Sequence, residues 1–186
     1  MASCAAALAG PATALAGRHA RGSRPAPPRS ILASASEERR LSFVHTHTQE
    51  RLEVAFGAEG RYLPEGLSQL DAFLRDHRTG EVHRIDPTLL DLLHDLRLMT
   101  GTRAPFAVIS GYHSPQTNAV LRARSGGVAS GSLHVQGQAI DIRLGDVRTS
   151  VLRDAALELR RGGVGYYAGS DFVHVDTGRV RTWSGR

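Results

Sequence analysis

Apolar positions recur along the chain with two periods, and the switches between them mark out its elements. From Arg40 to Phe56, Leu41, Phe43, Leu52, Val54 and Phe56 alternate with polar residues, the pattern of a β-hairpin or two short strands. From Pro64 to Arg78, Leu67, Leu70, Phe73 and Leu74 follow helical spacing, and Gly80 ends the helix. Asp86-Pro87 opens a second helix, with aspartate as N-cap and proline in the first turn. Leu89, Leu90, Leu92, Leu93, Leu96 and Met99 carry that helix to the region of Thr100. Phe106 to Ser110 is a short strand, and Ser114-Pro115 starts a helix that runs to Arg124. Ala139-Ile140-Asp141-Ile142-Arg143 alternates as a strand, with Asp141 and Arg143 on one face. Val147 to Arg161 is an amphipathic helix. Gly163 to Tyr167, Phe172 to Asp176 and Val180 to Trp183 complete the pattern as closing strands. The fold expected is α+β, an antiparallel sheet flanked by helices, over residues 37–186.

Residues 1–36 break the pattern. Ala5 to Ala16 is Ala-rich and Arg18 to Arg29 is rich in Arg, Pro and Ser, a composition that favours disorder. The first part resembles the apolar core of an export signal, with Ala14-Leu15-Ala16 as a small-residue cleavage candidate, although no basic residue precedes it. Export to the periplasm or cell wall is the expectation. No apolar run is long enough for a membrane helix. Cys4 is the sole cysteine, which excludes a disulfide framework and a cysteine zinc cluster. All 23 basic residues are arginine, against 18 acidic ones. They are scattered and aromatics make up 5% of the chain, so the stripe of a nucleic-acid binder is missing. A basic surface also suits an anionic polymer such as a cell wall.

Candidate chemistry centres on Ser132 to Asp141. His134 and Asp141 stand seven residues apart, and Gly137 lets the chain turn so that a loop histidine folds back over the start of a strand. Imidazole nitrogen and carboxylate oxygen both suit zinc, and an open catalytic site takes three protein ligands. The best third candidate is His174, in the alternating Phe172-Val173-His174-Val175-Asp176. Zinc so held would activate water and polarise a carbonyl. Amide hydrolysis also needs a carboxylate to move a proton, for which Asp171 and Asp176 flank His174; either could instead orient a ligand. Tyr112 or His113, on the loop after the strand that ends at Ser110, could donate to an oxyanion. Ser125 to Ser132 is rich in Gly, Ser and Ala and reads as a flap before His134. His45 and His47 form an H-x-H pair with no third ligand at suitable spacing, which reads as two polar strand or turn histidines. His77, His83 and His94, and Asp71, Asp76 and Asp91, read as helix-flank or solvated positions.

Several of these residues resemble a known family. Ser110-Gly111-Tyr112-x-Ser114-Pro115, Asn118, Ser132-x-His134-x-x-Gly137-x-Ala139-x-Asp141, Gly163-Val164-Gly165-Tyr166-Tyr167 and Phe172 to Asp176 resemble the YcbK/MepK-like murein endopeptidases. These belong to the zinc D-Ala-D-Ala peptidase, lysostaphin and hedgehog-like group. The resemblance spans Arg40 to Trp183. It implies Zn2+ on His134, Asp141 and His174, with Tyr112, Ser114, Asn118 and Ser132 in substrate binding. It further implies cleavage of peptidoglycan peptide cross-links, notably between two meso-diaminopimelate residues. Relatives carry arginine where this chain has His113, and place the catalytic carboxylate three residues before the last histidine. That spacing favours Asp171, with Asp176 as reserve. The partner expected is the peptide stem of peptidoglycan, for a monomeric enzyme with no nucleic acid and no membrane insertion. The competing expectation is a wall-binding module that keeps the fold without turnover.

Overall fold

The structure is a computed structural model and describes residues 38–125 and 131–185. The expected tail, 1–36, and residues 126–130 of the expected flap lie outside the described residues. The elements are β1 (Arg39–His45), β2 (Arg51–Ala58), β3 (Arg61–Tyr62), α1 (Pro64–Phe73), α2 (Pro87–Thr100), β4 (Phe106–Ser110), α3 (Pro115–Ser125), a 3-10 turn (Leu133–Gln136), β5 (Ala139–Leu144), α4 (Thr149–Leu159), β6 (Gly163–Tyr167), β7 (Phe172–Asp176) and β8 (Arg181–Gly185). One sheet holds the described strands in the order β3-β2-β1-β4-β5-β7-β6-β8.

The α+β class holds, but the sheet is mixed rather than antiparallel. β1 pairs in parallel with β4, and β6 in parallel with β8. The first parallel joint follows from the long crossover through α1 and α2, the type of connection that parallel neighbours require. The second arises because residues 177–180 carry the chain past the start of β6, so that β8 lies on the far side of β6 from β7. Between these joints, β4, β5, β7 and β6 are antiparallel.

Local chemistry sets the helix ends. Asp86 caps α2 by accepting from the Thr88 amide, and Gly101 closes it at φ 65°. α1 stops at Phe73 instead of running to Arg78. The Leu74 carbonyl accepts from the Tyr112 amide at 2.8 Å, and the Asp76 carboxylate accepts from the Arg78 amide at 2.9 Å. Both groups are thereby drawn into loop contacts that compete with another helical turn. Asp76 is fully buried, which corrects its expected place on a solvated helix face.

Alternation along the central strands divides the sheet into two faces. Ile140, Ile142, Val173 and Val175 are buried and join Leu89, Leu93, Leu152 and Ala156 from α2 and α4 in the core. Burying a side chain of this size contributes about 1.5–3 kcal/mol, so stability resides on the helix side. The residues between them in β5 and β7, Asp141 and His174, face the other way.

Candidate metal centre

Strand register builds the centre. Asp141 of β5 stands opposite Ser110 of β4 on one side and His174 of β7 on the other. His174 in turn stands opposite Gly165 of β6, which stands opposite Trp183 of β8. Five strands therefore contribute to one transverse row. Gly165 matters because it has no side chain. A Cβ there would lie 2.6–2.8 Å from the Trp183 indole, which instead crosses β6 and sits 5.1 Å from the His174 ring, centroid to centroid.

His134 comes from outside the row, on the 3-10 turn. Gly137 ends that turn at φ 66°, and a Cβ at this position would lie 2.2 Å from the Arg84 carbonyl oxygen. The sequence-based expectation of a turn at Gly137 is met, and it returns the imidazole over β5. His134 Nε2 lies 3.1 Å from His174 Nδ1 and 3.4 Å from Asp141 Oδ1; His174 Nδ1 lies 2.9 Å from Asp141 Oδ1. Tetrahedral zinc with bonds of about 2.0–2.1 Å places its ligand atoms roughly 3.3 Å apart. The triangle fits, and His134, Asp141 and His174 form the candidate metal-holding group among the described residues.

Both histidines are oriented by their second nitrogen. His134 Nδ1 donates to the Gly111 carbonyl at 2.7 Å, leaving Nε2 to face the centre. His174 Nε2 donates to Asp176 Oδ2 at 3.0 Å, leaving Nδ1 to face it. Asp176 is itself held. Its carboxylate accepts from the Gly163 and Gly178 amides, both at 2.9 Å, and from the Arg181 guanidinium at 2.7 and 3.0 Å. Such outer partners fix the tautomer and ring direction of a ligating histidine. Burial pushes the His174 pKa down, but bonds to Asp141 and Asp176 outweigh it and raise the value to about 9. Burial likewise opposes ionisation of Asp141, yet His134 and His174 hold its carboxyl well below the usual range.

The triad opens onto a pocket of about 460 Å³. Tyr167, Phe172 and Trp183 give it an aromatic wall, with Tyr167 stacked on Phe172 at 4.4 Å and Trp183 Nε1 donating to the Tyr167 hydroxyl at 3.0 Å. Ser110, His113, Arg78 and His47 lie elsewhere around it.

The remaining expected site residues divide sharply. Ser132 lines the pocket at the start of the 3-10 turn. His113 also lines it and stacks on His134 at 4.6 Å and 16°. Its nitrogens, however, are not offered to the opening: Nε2 bonds the Ser110 hydroxyl, and Nδ1 is enclosed without a partner. Tyr112 donates its hydroxyl to Glu81 at 2.6 Å and stacks on His83, away from the pocket. Ser114 bonds Asp76 through its amide and hydroxyl. Asn118 is buried in α3, with its side-chain oxygen enclosed. These three do not line the pocket.

Asp171 is the clearest departure. It sits in the β6–β7 turn at φ 52°, exposed, accepting from the Thr149 hydroxyl with Arg143 3.8 Å away. The left-handed turn just ahead of β7 takes its carboxylate to Thr149 and Arg143, and it does not line the pocket. Asp176, the reserve, orients His174. Asp141 is the only carboxylate lining the pocket among the described residues.

Sequence patterning missed Arg181, Trp183, Gly165 and Asp76 as parts of this construction. The alternation of Arg181 and Trp183 on one strand face was the available signal for the first two. The H-x-H pair serves the fold. His45 is buried, and its Nδ1 accepts from the His47 and Thr48 amides at 3.2 and 3.3 Å.

Three nitrogen and oxygen ligands on a sheet face, with the fourth side open to a pocket, have the form of a mononuclear metallohydrolase centre. The family model described as peptidoglycan L,D-endopeptidase MepK matches residues 33–183, and the chain belongs to that family, which is of metallopeptidase type. It is 44% identical over 161 residues to the probable peptidoglycan L,D-endopeptidase MepK of Haemophilus influenzae, covering 85% of this chain and 87% of the relative. It is 45% identical over 150 residues to the peptidoglycan L,D-endopeptidase MepK of Escherichia coli K12, covering 81% and 82%.

Proposed function

We propose that the chain is a zinc-dependent peptidoglycan endopeptidase, with zinc held by His134, Asp141 and His174. The observation that carries this is the pairing of both outer imidazole nitrogens. Gly111 and Asp176 each take one ring N–H, so His134 Nε2 and His174 Nδ1 are turned to the same point as Asp141, where zinc would displace the proton His174 Nδ1 shares with that carboxylate. Its relatives are named peptidoglycan L,D-endopeptidases, and we take the bond cut to join an L-centre carbonyl to a D-centre amine, as in a cross-link between two diaminopimelate residues.

Zinc bound there would polarise the scissile carbonyl and activate water. The chain's own groups orient and enclose. Stacking of His113 on His134 fixes the plane of that imidazole, and we assign His113 this positioning role. Asp176, clamped by Arg181 and two amides, fixes His174. The aromatic wall excludes water along one side of the substrate, and Ser132 offers a hydroxyl at the rim. No proton transfer is assigned to Asp171. The enzyme acts after export, at the wall; among the described residues no helix is long and apolar enough to cross a membrane. We propose that it works as a monomer.

The test is to purify the full chain, quantify its metal, and digest cross-linked muropeptides with and without a chelator. Bound zinc and chelator-sensitive cleavage, restored by zinc, are expected. Metal bound without cleavage would leave a wall-binding module instead. A protein that takes up no zinc with all three ligands intact would remove the zinc assignment.

A further inference from the structure

The pocket carries two guanidinium groups in different states. Arg181 makes two bonds to Asp176 and stacks on Trp183 at 4.9 Å, so its charge is already satisfied. Arg78 lines the same pocket, is exposed, and has no ion pair among the described residues.

Its place is fixed by a buried bracket. Asp76 accepts from the Arg78 amide through Oδ1, and from the Ser114 amide and hydroxyl through Oδ2 at 2.9 and 2.7 Å. One carboxylate thus ties Arg78 to the loop that carries His113. His47 stacks on His77 at 4.4 Å and 11°, bracing this segment from the β1–β2 turn. Apart from any bound metal, Arg78 is the uncompensated cation of the pocket among the described residues.

We propose that Arg78 binds the carboxylate on the amine side of the scissile bond, and with it the D-configuration of that centre. This rests on the endopeptidase reading above. In a cross-link between an L-centre carbonyl and a D-centre amine, the carbon bearing the scissile nitrogen also bears a free carboxylate. That anion is tethered to the reacting nitrogen by one carbon and cannot lie far from the metal when the carbonyl is bound. A guanidinium receives a carboxylate through two parallel N–H bonds. Choosing one configuration at a carbon takes three contacts. The triad fixes the carbonyl, the aromatic wall receives the aliphatic arm, and Arg78 supplies the third. Inversion at that carbon swings the carboxylate off Arg78.

The experiment compares zinc-loaded wild type, Arg78→Gln and Arg78→Lys on synthetic cross-linked peptides. The amine-side carboxylate is either free or amidated, and its carbon is either D or L. Wild type should favour the free acid over the amide by about tenfold or more in kcat/KM, chiefly through KM, as expected for a charge-assisted bond. Arg78→Gln should lose this preference and most of the D-over-L discrimination, with unchanged zinc content and little change on the amidated peptide. Arg78→Lys should restore part of both. Equal losses on free and amidated peptides, or a preference retained in Arg78→Gln, would overturn the proposal. If wild type cleaves none of the peptides, the endopeptidase reading fails. The same comparison read as calorimetric affinity then decides Arg78, and a free-acid preference retained in Arg78→Gln overturns the assignment.

Discussion

Replacing Asp176 by asparagine tests whether the centre is organised from behind. The carboxylate accepts five bonds: from His174 Nε2, from the Gly163 and Gly178 amides, and two from Arg181. An amide keeps one oxygen. With that oxygen toward the glycine amides, its NH2 faces His174 and can only donate to Nε2, which moves the imidazole proton to Nδ1, the atom that must bind metal. With the amide turned round, its NH2 faces two backbone N–H groups in a fully buried position. Both arrangements conflict, and the first leaves fewer donors unpaired. Losing an outer partner of a ligating histidine costs about 10–100-fold in metal affinity, or roughly 1.4–2.7 kcal/mol. The assay is competition for zinc against a chromogenic chelator at neutral pH, with thermal melts of the metal-free proteins to separate affinity from folding. An Asp176→Asn variant with wild-type zinc affinity and a wild-type melt would refute the orienting role.

Other outcomes follow from the same geometry. Asp171→Asn should keep its zinc and its turnover, with at most about 1 kcal/mol lost from the Thr149 bond; a large fall in kcat would return Asp171 to the mechanism. Because the His174 pKa is raised from 6.5 to about 9, its charge contributes stability that is complete below pH 6.5 and is lost as pH rises through 9. The melting temperature of the metal-free protein, relative to the zinc form, should fall over that window, and calorimetry in buffers of different ionisation heat should show a proton released on zinc binding at neutral pH; a flat difference and no proton release would contradict this. Gly137→Ala meets both a left-handed φ and the Arg84 carbonyl. It should cost about 2 kcal/mol or more and weaken zinc binding through His134, and an unchanged urea midpoint would count against that turn as the device that places the ligand.

What the sequence disclosed depended on whether the signal was local. The helix start at Asp86-Pro87, the turn at Gly137 and the alternation through Asp141 and His174 each arise from neighbours in the chain, and all three are met. The distance between Asp141 and His174 is set by register, which no single strand contains, and that to His134 by the turn at Gly137, yet alternation was enough to put Asp141 and His174 on usable faces. At Asp171 the three-residue spacing crosses from β7 into a turn, where strand geometry no longer places the side chain. Helical periodicity extended to Arg78 put Asp76 on a solvated helix face, but the helix stops at Phe73 and the buried carboxylate ties two loops together. Trp183 had no legible partner, because its neighbour His174 is reached only across Gly165 and over a parallel joint that the strand pattern does not reveal.

That joint bears on what the candidate centre depends on. β8 is the last of the described strands to leave the ribosome, and it brings both the guanidinium that clamps Asp176 and the indole beside His174. A chain ending before Arg181 would still contain His134, Asp141 and His174, and Asp176 would keep its two glycine amides but lose both guanidinium bonds. Cutting the 177–180 link would likewise free the clamp without touching a ligand. The candidate centre thus depends on an edge strand that supplies no ligand, and damage confined to that edge would loosen His174 while leaving the whole candidate ligand set in place.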